Sequence, residues 1–172
     1  MATVQISLEE YLRESYHPDC DYVEGEVQER SLGEFEHAAV QMFMGDWFYQ
    51  HRHEWNLHVL PEMRIRVSPT RVRIADVCLM SRSQQIERVL TRPPLAVIEI
   101  LSSEDRIGRY SDRLADYRRM GVANVWVIDP MNKVGYDCST PAWLPVEELR
   151  VAGTPIFFRL SDLWSELETN QP

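Results

Sequence analysis

The apolar run Leu95-Ala96-Val97-Ile98-Glu99-Ile100-Leu101 lies between Pro93-Pro94 and Ser102-Ser103 and predicts a strand covered on both faces. A second run, Val72 to Met80, sets Val72, Ile74, Asp76, Cys78 and Met80 on one parity, so Asp76 is expected to point inward with its apolar neighbours. Before it, Leu57 to Val67 predicts a strand joined through the turn Ser68-Pro69-Thr70, giving an antiparallel pair. A helix over about Glu104 to Met120, stopped by Gly121, followed by the strand Asn124 to Ile128, implies a parallel crossover.

The flanks follow the same logic. Ser7-Leu8-Glu9-Glu10 has capping-box spacing and opens a short helix to about Ser15, which Pro18 cannot prolong. Asp21 to Arg30 predicts a hairpin turning at Glu24-Gly25. From Glu34 to about His51, Phe35, Ala39, Met42, Phe43 and Trp47 recur at helical spacing and are expected to lie against the sheet. A strand near Lys133 to Cys138 and a final strand and helix over 155–167 complete the chain. The expected fold is α/β, a mixed central sheet flanked by helices. It is one domain over 1–172, with an N-terminal helix and hairpin at 7–30 and a core at 34–139.

Composition narrows the function. The 172 residues with 44% hydrophobic content support a core, and no signal peptide or membrane-length apolar run is read, so a cytoplasmic protein without a membrane partner is expected. Cys20, Cys78 and Cys138 are far apart with no CxxC spacing and read as buried thiols. His51, His53 and His58 lack a matching cysteine or acidic motif, so zinc is not expected. Trp47, Phe48 and Tyr49 read as core or a dimer contact rather than a base-stacking platform. A net charge of −9 excludes binding of nucleic acid by bulk electrostatics; any such contact must be local. Arg64, Arg66, Arg71 and Arg73, and the helix set Arg106, Arg109, Arg113, Arg118 and Arg119, read chiefly as solvated edges and an exposed helix face.

The chemistry lies in the two carboxylates. An ionised carboxylate in a dry strand costs several kcal/mol unless it is paired or bound to a metal. Asp76 and Glu99 on neighbouring strands, with Glu36 in the first turn of a helix, offer the oxygen donors a hard divalent cation takes. Such a cation acidifies a bound water and stabilises charge on a phosphate. The alternative at Glu99 is a structural carboxylate paired to one of the arginines.

The order of these elements resembles the PD-(D/E)xK nuclease superfamily, within it the small stand-alone bacterial proteins grouped as restriction endonucleases and long catalogued as a domain of unknown function. The matching segments are Tyr22-Val23-Glu24-Gly25-Glu26, Glu36-His37, Ala75-Asp76-Val77, Val97-Ile98-Glu99-Ile100-Leu101-Ser102, Leu114-Ala115-Asp116-Tyr117 with Gly121-Val122, and Val125-Trp126-Val127-Ile128-Asp129-Pro130. The resemblance implies a restriction-endonuclease-like core and Mg²⁺-dependent phosphodiester hydrolysis, with Mn²⁺ as a substitute and DNA as substrate. It implies Asp76, Glu99 and the Ile100 main-chain carbonyl as metal ligands, with Glu36 assisting. Read from the residues themselves, His37 beside Glu36 is expected to contact substrate or carry a proton, and Arg109, one turn before Arg113 where the family commonly has an aspartate, to face a phosphate or Glu99.

The lysine of this branch comes from the following helix, where Arg113 stands. Arginine keeps the charge but cannot act as a base at neutral pH. The competing reading is a catalytically impaired relative acting as a binding module. A nuclease that cuts two strands favours a homodimer.

Overall fold

The computed structural model describes residues 5–30, 33–103 and 107–169. Its elements are α1 (Leu8–Arg13), β1 (Asp21–Val23), β2 (Glu26–Gln28), α2 (Phe35–Gln50), β3 (Leu57–Ser68), β4 (Arg71–Ser81), β5 (Ala96–Ile100), α3 (Ile107–Met120), β6 (Asn124–Asp129), β7 (Val134–Asp137), β8 (Leu144–Val146), β9 (Glu148–Arg150), β10 (Phe157–Arg159) and α4 (Leu160–Thr169). The capping box is formed: the Ser7 side chain accepts from the Glu10 N–H, and Glu10 accepts from the Ser7 N–H at 2.7 Å. The β1–β2 turn carries positive φ at both Glu24 and Gly25, which suits the twist of a tight hairpin. Gly121, at φ +100°, ends α3 as expected.

Eight strands form a mostly antiparallel sheet in the order β2-β1-β4-β5-β6-β7-β8, with β3 paired along the other edge of β4. Only β5 and β6 run parallel among the described pairs, joined by the α3 crossover. β9 and β10 pair separately. One face of the sheet packs Val77, Leu79, Ile98 and Trp126 against α2 and α4. The other packs Cys78, Val97, Val125 and Val127 against Leu114 and Tyr117 of α3. Helices on both faces explain why β4 is buried without a break from Val72 to Met80.

Two expectations change. The buried stripe of α2 is Val40, Met44 and Phe48, whereas Phe35 and Met42 are 67% and 71% exposed. Phe43 and Trp47 pack only at its margin. Apolar residues surround much of this helix, and the stripe that meets the sheet is turned one residue on, roughly 100°. The arginines around the β3–β4 turn are not merely solvated. Arg73 is buried, and Arg64 donates through Nε to Asp19 at 2.7 Å.

Candidate active site

The site occupies a gap in the sheet. Along one edge of β4, β1 pairs only with Arg71 and Val72, and β5 pairs only with Val77, Cys78 and Leu79. The backbone between them must find partners elsewhere, because a buried N–H or C=O left unpaired is costly. Side chains supply them. The Ile74 N–H donates to Asp21 Oδ1 at 3.1 Å, and the Ile74 carbonyl accepts from Arg113 Nη1 at 3.1 Å.

Asp76 lies at the end of this gap. Continuing the register one step past the Val77–Ile98 pair sets it opposite Glu99. On the other side, between the pairs Pro61–Val77 and Met63–Ala75, it stands opposite Glu62. Three carboxylates thus form a row across β3, β4 and β5. Oδ2 of Asp76 accepts from the Ile100 N–H at 2.7 Å and lies 3.3 Å from His37 Nε2. Its Oδ1 accepts from Arg30, whose other terminal nitrogen donates to Glu62. Gln41 of α2 donates to Glu62 at 2.8 Å and to the Asp76 carbonyl at 2.9 Å, fixing this end of the row.

Glu99 has a different environment. Oε2 accepts from Arg113 Nη1 at 3.2 Å and Oε1 from the Tyr117 hydroxyl at 2.6 Å, both from α3. Arg113 and Tyr117 are one helical turn apart and so share the face of α3 turned to the sheet. Arg113 Nη2 also donates to Asp21 Oδ2 at 2.8 Å. Asp21 accepts in turn from Arg73 at 2.9 Å, and Arg73 from its Nε reaches Asp116 Oδ2 at 2.8 Å. Arg71 and Arg119 complete the shell around Asp116.

These surroundings decide the protonation states. At Asp76, burial pushes the carboxyl up, but the His37 hydrogen bond, the Arg30 charge and the Ile100 N–H outweigh it and the net shift is downward. At Glu99, burial dominates over Arg113, and neighbouring Asp76 adds to it, raising the carboxyl to about 7. His37 is lowered by burial but raised more by Asp76, so it gains affinity for its proton. Arg113, despite burial, is held charged by Asp21 and Glu99.

A small cavity of about 20 Å³, room for roughly one water, reaches Asp76 but not Glu99 or Glu62, and is lined by Arg30, His37, Asp76, Tyr110 and Arg113 among others. A larger groove of about 740 Å³ adjoins it, lined by His17, Arg30, His37, Glu62, Arg64 and Arg88 among others. Arg30 and His37 line both.

Of the residues expected from sequence, Asp76, Glu99, Arg113 and His37 are brought together. Glu36 is half-buried at the start of α2 and does not line the small cavity; its neighbour His37 makes the contact to Asp76. The Ile100 carbonyl accepts from the Tyr110 hydroxyl at 3.1 Å. Arg109 belongs to α3, one turn before Arg113, but its side chain lies outside the described residues. Asp21, Arg30, Glu62 and Tyr117 were not anticipated.

The donor set suits a hard divalent cation in kind: two buried carboxylates at one level of neighbouring strands, with a main-chain carbonyl beside them. Among the described residues no group of three or more His, Cys, Asp or Glu is placed to hold a metal ion. Mg²⁺ commonly takes only one or two carboxylates and keeps several waters, so two suffice. The constraint is charge, since Arg30 and Arg113 already neutralise the pair.

The model of the Uma2 family, described as "Putative restriction endonuclease", matches residues 8–138, which contain the whole row of carboxylates and its arginines. The chain belongs to the Uma2 family. A solved structure with the same architecture is the crystal structure of a protein from Anabaena variabilis described as "a putative nuclease belonging to DUF820". It superposes with a TM-score of 0.77 at 18% identity, over 94% of this chain and 99% of that one. That likeness establishes the α/β fold of this Uma2 chain, a mostly antiparallel sheet flanked by helices. No curated protein matches it. No helix among its described residues is long and apolar enough to cross a membrane.

Proposed function

We propose that this Uma2 chain is a divalent-cation-dependent endonuclease that hydrolyses phosphodiester bonds in DNA. The observation that carries the reading is the juxtaposition of buried Asp76 and Glu99 at the mouth of a gap in the sheet, within a family of nuclease character. Mg²⁺, or Mn²⁺ in its place, would be held by Asp76, Glu99 and the Ile100 carbonyl, and would supply an acidified water and charge stabilisation at the phosphate.

The chain's own groups do the rest. Arg113, clamped between Glu99, Asp21 and the Ile74 carbonyl, presents a permanent positive charge at the cavity and stabilises the negative charge of the strained phosphate. His37 orients Asp76 and, being readily protonated, hands a proton to the outgoing oxygen or contacts the substrate directly. Arg109, on α3 one turn before Arg113, is assigned to contact substrate, and Glu36 assists from outside the cavity. A homodimer in the cytoplasm would present two such sites to the two strands.

The test is Mn²⁺ binding and plasmid cleavage by wild type and Asp76→Asn. The substitution removes charge without changing shape, so binding and cleavage should both vanish while thermal unfolding stays cooperative. Cleavage that persists in a clean preparation of the variant overturns the assignment.

A second reading, a binding module of nuclease fold without turnover, is favoured by one observation: Arg113 stands at the lysine position and is fully engaged by Glu99 and Asp21. Arg113→Lys separates the two. Loss of cleavage identifies arginine as the working group, and a gain identifies an impaired site.

A further inference from the structure

We propose that Arg30 is an exchangeable internal cation: it occupies the metal-facing oxygen of Asp76 in the free protein and moves to a backbone phosphate when a nucleic-acid strand enters the outer groove. The inference rests on the nuclease reading above and adds to it the residue that controls access to the site.

Three observations carry it. First, the Arg30 guanidinium spans Asp76 and Glu62, the two carboxylates of the row that Arg113 does not reach. Asp76 Oδ2 is already turned to the Ile100 N–H, so Oδ1, where Arg30 sits, is the oxygen left for an incoming cation. Second, Arg30 lines both the small inner cavity and the large outer groove, as only His37 does besides it among the lining residues of the two. A side chain in that position closes one space against the other. Third, Arg30 follows β2 on a connection rather than lying within a strand or helix, whereas Arg113 is fixed on α3 by Asp21 and Glu99. Long arginine side chains anchored on loops can swing their charge over several ångströms at little backbone cost.

The chemistry of the exchange is balanced. A guanidinium binds a phosphate through the same paired N–H groups that it offers a carboxylate. With Arg30 on Asp76, the buried carboxylate is neutralised and a divalent cation meets a site whose charge is already satisfied. With Arg30 on a phosphate in the groove, the Asp76 carboxylate is left with less counter-charge and draws a divalent cation in. The groove also offers Arg88 and His17 to a polyanion, with Arg64 paired to Asp19, against Glu14 and Glu62. The protein would thereby keep its metal affinity low until substrate is present.

The experiment compares wild type, Arg30→Ala and Arg30→Gln in two assays: Mn²⁺ titration calorimetry without nucleic acid, and binding of a short labelled DNA in EDTA. The proposal expects opposite changes. Mn²⁺ affinity rises about tenfold or more in both variants, while DNA affinity in EDTA falls. Adding Asp76→Asn to Arg30→Ala should abolish the gained Mn²⁺ binding. A residue that only supports the fold would weaken both, so parallel losses overturn the proposal. So does Mn²⁺ binding equal in wild type and a folded Arg30→Gln, an outcome that leaves the two-carboxylate metal site intact. Absence of Mn²⁺ binding in all three proteins overturns the metal site itself and this inference with it.

Discussion

Asp76 and Glu99 occupy the same level of neighbouring antiparallel strands, both without exposed surface, yet their carboxyls are driven in opposite directions. Burial raises both. At Asp76 the His37 hydrogen bond, Arg30 and the Ile100 N–H reverse the effect; at Glu99 the Arg113 guanidinium, with smaller help from Arg30 and the Tyr117 hydroxyl, does not, and the Asp76 charge works against ionisation. One carboxylate is kept ready as an anion, and its neighbour is poised near neutrality.

This predicts a pH signature. A carboxyl whose folded value exceeds its unfolded one lends stability that is complete below the unfolded value and is lost as pH rises through the folded one. For Glu99 the window runs from 4.5 to about 7. Without metal, wild type should therefore lose stability relative to Glu99→Gln across that window, by an amount on the order of a few kcal/mol. Denaturant unfolding at a series of pH values measures it. A gap between the two proteins that does not change with pH would show Glu99 ionised throughout.

Asp21 organises two buried arginines and one orphan main-chain N–H at once. Asp21→Asn keeps an acceptor for Ile74 but leaves Arg73 and Arg113 short of a counter-charge. Breaking a buried pair by neutralising one partner typically costs about 3–5 kcal/mol. Arg73 retains Asp116 and Arg113 retains Glu99, which places the expected loss toward the lower end. Urea unfolding reads it directly. A change below about 1 kcal/mol, the value of an exposed pair, would mean the network is solvated in solution.

The secondary elements were legible because their signals are local: the capping box at Ser7 and Glu10, the Glu24-Gly25 turn, the unbroken apolar run around Glu99, and Gly121 at the end of α3. Asp76 and Glu99 stood out because a carboxylate in such a run needs a partner. The partners themselves were not legible. Asp21 reaches the site because β1 pairs with one end of β4 while β5 pairs with the other, a division no local pattern announces. Glu62 stands opposite Asp76 only through a register that shifts between Arg66 and Ser68, so counting from the Ser68-Pro69-Thr70 turn misses it by one residue. Arg30 looked like the end of a hairpin. The choice between Glu36 and His37 depended on the rotation of α2, and an apolar pattern spread around that helix did not define it.

That rotation gives a third prediction. His37 Nε2 stands 3.3 Å from Asp76 and fixes the carboxylate, while Glu36 lies outside the cavity. Groups that orient a ligand from behind it are commonly worth about 10- to 100-fold in metal affinity. His37→Ala should weaken Mn²⁺ binding by that order, and Glu36→Gln should change it little. Calorimetry on the two variants decides between them; the reverse ranking would return Glu36 to the metal and reduce His37 to a neighbour.

Tyr117 offers the last test, because its hydroxyl touches no other group of the row. It donates to Glu99 Oε1 at 2.6 Å within a fully buried setting. The bond favours the ionised carboxylate, so Tyr117→Phe should push the Glu99 carboxyl further up and cost about 1–3 kcal/mol when Glu99 is charged. Protonated Glu99 needs the donor less. The penalty should therefore be small near pH 5 and grow as pH rises past about 7, whereas a simple packing loss would be the same at every pH. Urea unfolding of Tyr117→Phe and wild type at the two ends of that range makes the comparison, and a constant difference would assign Tyr117 to packing alone.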